Sequence, residues 1–195
     1  DLPRLSALCR EHDALLLLDP SVASLYNLNV LPLCDVVVSS LTKYTASAGD
    51  LTAGVAAVNP AGRDADALRT RIAAESEPVY RGDLARLAAQ IGETEAVLAK
   101  IHANTAQVAA FLAAHPKVQD VYWALREDSR ANYLQVARHA NATGGMISFT
   151  LRVPMEPFYD RLRLPKGPSF GMKTTLICPF MYLAHYDLVT TPAGV

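Results

Sequence analysis

The chain has 195 residues, 51% of them hydrophobic, with 18 basic against 19 acidic side chains and a formal net charge of −1. That length suits one large domain, or a domain with a smaller one attached, and a near-neutral balance gives no electrostatic basis for binding nucleic acid or an anionic membrane. The apolar runs are all far shorter than a membrane span, and Cys9, Cys34 and Cys178 lack disulfide-framework or metal-ligand spacing, which fits reduced thiols in a cytoplasmic protein. The five histidines are scattered, so no metal site is expected.

In chain order, Pro3 suits the first turn of a helix carrying Leu5, Leu8 and Cys9 as an apolar stripe up to His12. Leu15 to Leu18 reads as a strand ending in Asp19. Pro20 to Leu33, with Asn27, Asn29 and Pro32, reads as a loop with one helical turn. Val36 to Val38 is a second strand, ending in Ser39-Ser40-Leu41-Thr42-Lys43, and Gly54 to Val58 is a third, stopped by Asn59-Pro60. A polar turn over 61–66, a short helix from Ala67 to Ala74 and a break from Glu75 to Pro78 follow.

Leu84, Leu87, Ile91, Leu98, Ile101, Val108 and Leu112 then recur at helical spacing. They predict one long helix, or two in tandem, capped at Asp83, bent at Gly92 and ended by His115-Pro116. Beyond it the pattern predicts a strand from Val118 to Trp123, a helix from Ala131 to His139 and a strand from Met146 to Leu151. A helix from Pro154 to Arg161 and extended pieces at Ser169–Gly171 and Thr175–Cys178 complete it. The fold class is α/β. Residues 1–90 belong to a domain with a mainly parallel sheet, and residues 91–195 hold a linking helix and a smaller α+β layer.

Strands apolar at every position suit a parallel sheet covered on both faces, and open α/β sheets gather ligands at the carboxyl ends of their strands. Asp19, Ser40, Thr42 and Lys43 are therefore expected to converge on one crevice. A lysine can form a Schiff base with an aldehyde, a carboxylate can hold a proton on a ring nitrogen, and hydroxyls can bind a phosphate. Pyridoxal 5'-phosphate has all three needs on one molecule. Plainer roles remain open for each residue. Asp19 would cap the turn before Ser21, and Ser40 and Thr42 (or Ser39, one register away) would cap a loop. Lys43 would be a solvated surface lysine, Tyr44 would serve packing, and His185 would be structural within its aromatic stretch.

Asp19, the run Asp35-Val-Val-Val-Ser-Ser-Leu-Thr-Lys-Tyr44, and then Gly49-Asp50 and Gly54 resemble the cofactor stretch of the cysteine/methionine-metabolism family of pyridoxal-phosphate enzymes. That family includes cystathionine synthases and lyases, methionine γ-lyase and homoserine-ester sulfhydrylases. The resemblance continues through His115-Pro-Lys-Val118, Gly144-Gly-Met-Ile-Ser148 and Ser169-Phe-Gly171, so it covers nearly the whole chain. It implies a fold-type-I enzyme in which Lys43 holds the cofactor and shuttles protons, Asp19 pairs with the pyridine nitrogen, Ser40 and Thr42 bind the phosphate, and Ser169 borders the substrate carboxylate. Asp50 and Gly54 would serve loop geometry. Ala46-Ser-Ala48 departs from the family's usual Gly-Gly-His.

Lys166-Gly-Pro-Ser-Phe-Gly171, Thr175-Leu-Ile-Cys-Pro179, Leu183-Ala-His-Tyr186 and Ser129-Arg-Ala-Asn-Tyr133 look most like fungal-type cystathionine γ-synthases. Thr174 stands where many lyases of the family carry a glutamate. The implied reaction is γ-replacement on an activated homoserine ester by cysteine, giving cystathionine. The alternatives are a β- or γ-eliminating lyase acting on cystathionine or methionine, and a non-catalytic relative or scaffold subunit. The resemblance also implies a homodimer or homotetramer with a small amino-acid substrate. It further implies a longer protein, with a phosphate loop and a ring-stacking tyrosine before Asp1 and a carboxylate-gripping arginine after Val195.

Overall fold

The computed structural model describes residues 1–188. Helix α1 (Leu2–Glu11) begins at Asp1, whose carboxylate accepts the Arg4 N–H at 3.0 Å, with Pro3 in the first turn where no backbone donor is needed. Leu2 and Cys9 pack on the core, whereas Leu5 and Leu8 are exposed. The helix thus docks through a face of Leu2, Ser6 and Cys9, with Ser6 its buried residue, rather than through the expected apolar stripe.

Strands β1 (Leu17–Leu18), β2 (Val36–Ser40) and β3 (Gly54–Val58) form a sheet in that order. β1 runs parallel to β2, with Leu17 opposite Val36, and β3 runs antiparallel, with Ser40 opposite Gly54. The described sheet is therefore mixed rather than mainly parallel, because the loop over 41–53 turns the chain back beside β2. β1 is shorter than the expected Leu15–Leu18. The Leu16 N–H goes to the Asp35 carboxylate at 2.7 Å instead of to a neighbouring backbone. β2 is largely buried, but Leu17 is 60% exposed, so the expected cover on both faces holds for the central strand and not for β1. Leu16, Leu28, Val30, Cys34, Val37 and Val136 form one buried cluster, and Ala46, Leu51, Ala53 and Leu87 form a second beneath the loop after β2.

Helix α2 (Ala65–Glu75) is followed by α3 (Arg81–Gln90), a 3-10 turn over Ile91–Glu93 that contains Gly92, and α4 (Thr94–Ala114). The N-cap of α3 is Tyr80, not Asp83. Asp83 lies in the first turn, where its carboxylate accepts the Thr52 N–H at 3.1 Å and Arg86 at 3.0 Å, tying α3 to the loop before β3. Thr94, Val97, Leu98, Thr105 and Ala109 make the buried face of α4, while Leu84, Ile91 and Val108 are exposed. The threonines hide this face from a purely apolar pattern. Their hydroxyls donate back to Ile91 O and Ile101 O at 2.9 and 2.8 Å, which lets them sit in a packed helix face.

Strands β4 (Val118–Tyr122) and β5 (Ser148–Leu151) pair antiparallel, with α4 against β4. Helix α5 (Glu127–Leu134) ends before the expected 131–139 span does. There the backbone bonds elsewhere: the Asn29 N–H reaches Val136 O at 2.7 Å and the Arg138 N–H reaches Asn27 O at 2.8 Å, joining the two halves of the chain. Helices α6 (Met155–Arg161) and α7 (Phe180–Ala184) follow, and the extended pieces near 166–177 meet in one bridge, Lys166 beside Ile177. No helix among the described residues is long and apolar enough to cross a membrane.

Candidate active site

The parallel pairing of β1 and β2 sets their carboxyl ends side by side. Asp19 follows β1 directly, and Ser39 and Ser40 close β2. Asp19 Oδ1 accepts the Ser21 N–H at 2.9 Å and the Ser21 hydroxyl at 2.5 Å. Ser21 Oγ in turn accepts the Ser40 N–H at 2.7 Å and lies 3.3 Å from Ser39 Oγ. One carboxylate oxygen of Asp19 is thus engaged in the side-chain turn that Asp-Pro-Ser sequences favour, the turn-capping role weighed above.

Lys43 lies on the loop after β2 and is half-buried. Its Nζ donates to Ser169 Oγ at 2.7 Å and sits 5.0 Å from the centre of the Phe170 ring. A shallow cleft is lined by Ser21, Ser24, Leu25, Ser39, Ser40, Leu41, Lys43, Tyr44 and Thr45. Lys43 and Ser40 meet there, Asp19 joins through Ser21, and Ser169 adjoins Lys43. Thr42 is turned away: its Oγ1 accepts the Ala53 N–H at 3.3 Å and donates to Ala53 O at 3.5 Å, and it is not among the cleft-lining residues.

The loop beyond Lys43 is tightly held. Tyr44 is 1% exposed and adopts a left-handed backbone with φ of 58°. Its hydroxyl donates to Val22 O at 2.7 Å and accepts the Gly145 N–H at 3.0 Å. Burial pushes the Tyr44 phenol up, against the smaller pull of the Gly145 N–H, so it stays neutral and serves as donor and acceptor together. Where Ala46-Ser-Ala48 departs from the family pattern, Ala46 and Ser47 are buried, and Gln90 accepts the Ala48 N–H at 3.0 Å while donating to Asp50 at 2.8 Å. Among the described residues no group of three or more His, Cys, Asp or Glu side chains gathers as a metal would require. Sequence reasoning passed over Ser21 as a bridge, although Asp-Pro-Ser carried that signal. It also passed over Phe170 beside the lysine, for which no local signal exists.

A family model for the Cys/Met metabolism PLP-dependent enzymes matches residues 1–191. The chain belongs to that family. It is 38% identical over 194 residues to the L-2-amino-4-chloropent-4-enoate dechlorinase/desaturase of Streptantibioticus cattleyicolor, covering 100% of this chain and 39% of that protein. It is 33% identical over 190 residues to the cystathionine gamma-synthase of Neurospora crassa, covering 96% of this chain and 31% of that one. The chain therefore spans well under half the length of these relatives. Among solved structures, the cystathionine gamma-lyase of Lactobacillus plantarum, complexed with L-serine, superposes with a TM-score of 0.84 at 22% identity. That match covers 96% of this chain and 50% of the other, and it shows the shared fold.

Pyridoxal phosphate, the cofactor of this family, needs an amine for its aldehyde, a carboxylate for its ring nitrogen and donors for its phosphate. The set around the cleft offers Lys43 Nζ, the Asp19 carboxylate and the hydroxyls of Ser39 and Ser40, the Ser21 hydroxyl being spent on Asp19. By chemistry that set fits the cofactor.

Proposed function

We propose that the whole protein is a fold-type-I pyridoxal-phosphate enzyme acting on a small amino acid with a leaving group on its γ carbon. We further propose that it replaces the ester group of an activated homoserine with cysteine to form cystathionine. The observation that best supports this reading is the 2.7 Å bond from Lys43 Nζ to Ser169 Oγ, which joins two residues 126 positions apart at the carboxyl end of β2.

Bound here, the cofactor would supply an electron sink for charge developing on the substrate α carbon. Lys43 Nζ would hold the cofactor aldehyde and, once released, take and return protons at the substrate α and β carbons. Asp19 would keep a proton on the ring nitrogen. Ser40 would donate to the phosphate, whose charge strengthens such bonds, and Thr42 would do so on giving up its bonds to Ala53. Of the two, Ser40 lines the cleft and is the stronger candidate. Ser169 would border the substrate carboxylate.

A second reading, elimination without replacement, draws on the Streptantibioticus relative, named for an amino acid with chlorine on carbon 4, which is the γ carbon. Loss of a γ leaving group is common to both readings. The Thr174 position and the resemblance to fungal-type synthases favour replacement. As further parts of this proposal, residues 1–90 are the end of the cofactor domain and residues 91–195 begin a smaller α+β domain. The break at Ile91–Glu93 supports that division. The protein is proposed to work as a cytoplasmic homodimer or homotetramer.

Product analysis on the full-length, cofactor-loaded protein tests the choice. Cystathionine formed from a homoserine ester and cysteine supports replacement. A 2-oxo acid and ammonia, or chloride released from the chlorinated amino acid, supports elimination. No product from any of these substrates would favour the non-catalytic alternative.

A further inference from the structure

We propose that Tyr44 is a positioning residue for Lys43, its hydroxyl bridging Val22 and Gly145 so that the lysine is held toward Ser169. This inference rests on the role of Lys43 given above.

Three constraints meet at Tyr44. The hydroxyl joins Val22 O, just past the Ser21 bridge, to the N–H of Gly145 at distances of 2.7 and 3.0 Å. The ring stands edge-on to Phe170 with centroids 5.9 Å apart, next to the Ser169 that accepts from Lys43. The backbone is backed by Gly171, with φ of 76°, where a Cβ would stand 2.6 Å from Tyr44 N and 2.8 Å from Tyr44 Cγ. Gly144, with φ of 68°, gives the same close approach at the other end, since a Cβ there would lie 3.0 Å from the hydroxyl. Glycine alone meets both the backbone conformation and the space at these two positions.

A bulky residue with positive φ is rare and persists only where its surroundings over-determine it. Packing alone would explain the ring but not the hydroxyl, since phenylalanine fills nearly the same volume. The hydroxyl is the part that ties the lysine loop to the end of β1 and to the 144–145 turn. Because Lys43 is the preceding residue in the chain, an error in Tyr44 is passed directly to the lysine Cα.

The test is Tyr44→Phe in the full-length, cofactor-loaded protein. The expected result is a fall in kcat of about 10- to 100-fold, with KM changed less than about threefold, because the reacting amine is misplaced rather than lost. Borohydride should also fix the cofactor to Lys43 more slowly than in the unmodified protein. Tyr182→Phe is the control. That hydroxyl also makes a hydrogen bond, to Glu156 at 2.6 Å, so its loss should leave kcat and the trapping rate unchanged.

Unchanged kcat and trapping in Tyr44→Phe, or the same losses in both variants, would overturn the proposal. If Tyr44→Phe does not fold, Thr105→Val removes the hydroxyl that holds Gly144 O at 3.0 Å and so loosens the turn that donates to Tyr44, and it should lower kcat and slow the trapping in the same direction. An unaltered kcat there would count equally against the proposal. Failure of the underlying reading looks different: no borohydride label would appear on Lys43 even in the unmodified protein.

Discussion

From Ser39 to Ala53, the stretch around Lys43, the chain is closely packed, with Ser39, Tyr44, Thr45, Ala46, Ser47, Leu51 and Ala53 all buried. From 146 to 188, by contrast, Gly171 is the one buried residue among those described, and it is buried against Tyr44. Within the second segment β5 is held by β4, but residues 169–173 take their position from the first. Ser169 meets Lys43, Phe170 meets the Tyr44 ring, and Lys173 bonds Ser47 O at 2.9 Å and Glu93 at 2.5 Å. The lysine side of the cleft is thus held by its own packing, and residues 169–173 form a lightly held strip laid onto Lys43, Tyr44 and Ser47. Groups that must be aimed accurately belong on such a rigid element, and strips with few buried contacts open at low cost.

The largest expected effect comes from the lysine side. Lys43→Ala should lower turnover about 10³- to 10⁴-fold by removing the proton carrier. Thermal stability should change little, because the substitution removes one hydrogen bond, to Ser169, and one ring contact, to Phe170, from a half-buried side chain. Activity assay beside a melting curve checks both halves of this expectation.

Asp19→Asn is the next step down. The amide keeps an oxygen to accept from Ser21, so the turn that Asp19 forms survives while the charge is lost. Turnover should fall on the order of 10²-fold with cofactor still bound. Near-native rates would leave Asp19 as a turn cap alone.

A smaller effect depends on how the lysine side is braced from behind. His102 on α4 is hydrogen-bonded to the buried Asn27 at 3.0 Å, with His139 beside it at 5.5 Å between ring centres. Burial first, and the His139 charge second, hold its pKa below the ordinary histidine value. The unfolded imidazole binds a proton below about pH 6.5 while the folded one resists it. The stability contributed by neutral His102 is therefore present above that pH and is lost as pH falls through the lowered folded value. Denaturant midpoints of the full-length protein measured from about pH 7.5 down to about pH 5.5 should fall less in His102→Gln than in the unmodified chain.

The smallest effect belongs to the strip. Phe170→Leu removes the ring face near the Lys43 ammonium, worth about 0.5–1 kcal/mol. Limited proteolysis should then cut faster within 166–177 while 39–53 stays protected. Equal protection of both segments would show that the strip is held by something other than these contacts.

The neighbourhood of the site was readable because its signals are local: two apolar runs, each ending abruptly in polar residues, with Asp19 and Lys43 at those ends. Its internal arrangement was not, because it is set by partners distant in sequence. Thr42 faces Ala53 rather than the cleft, and Tyr44 is fixed by Val22, Gly145 and Gly171. The helices were legible from periodicity except where side chains broke the rule. Thr94 buries itself by bonding to the 3-10 turn before α4 and Thr105 by bonding to its own helix, and the end of α5 is set by pairing of residues 136–138 with residues 27–29. The direction of β3 was unreadable because a short apolar strand looks the same whether it runs parallel or antiparallel.

Borohydride reduction of the full-length, cofactor-loaded protein, followed by peptide mapping, tests the role of Lys43 most directly. The expected result is a single labelled peptide carrying the reduced cofactor on Lys43. A label on any other lysine, or no label despite bound cofactor, would contradict it.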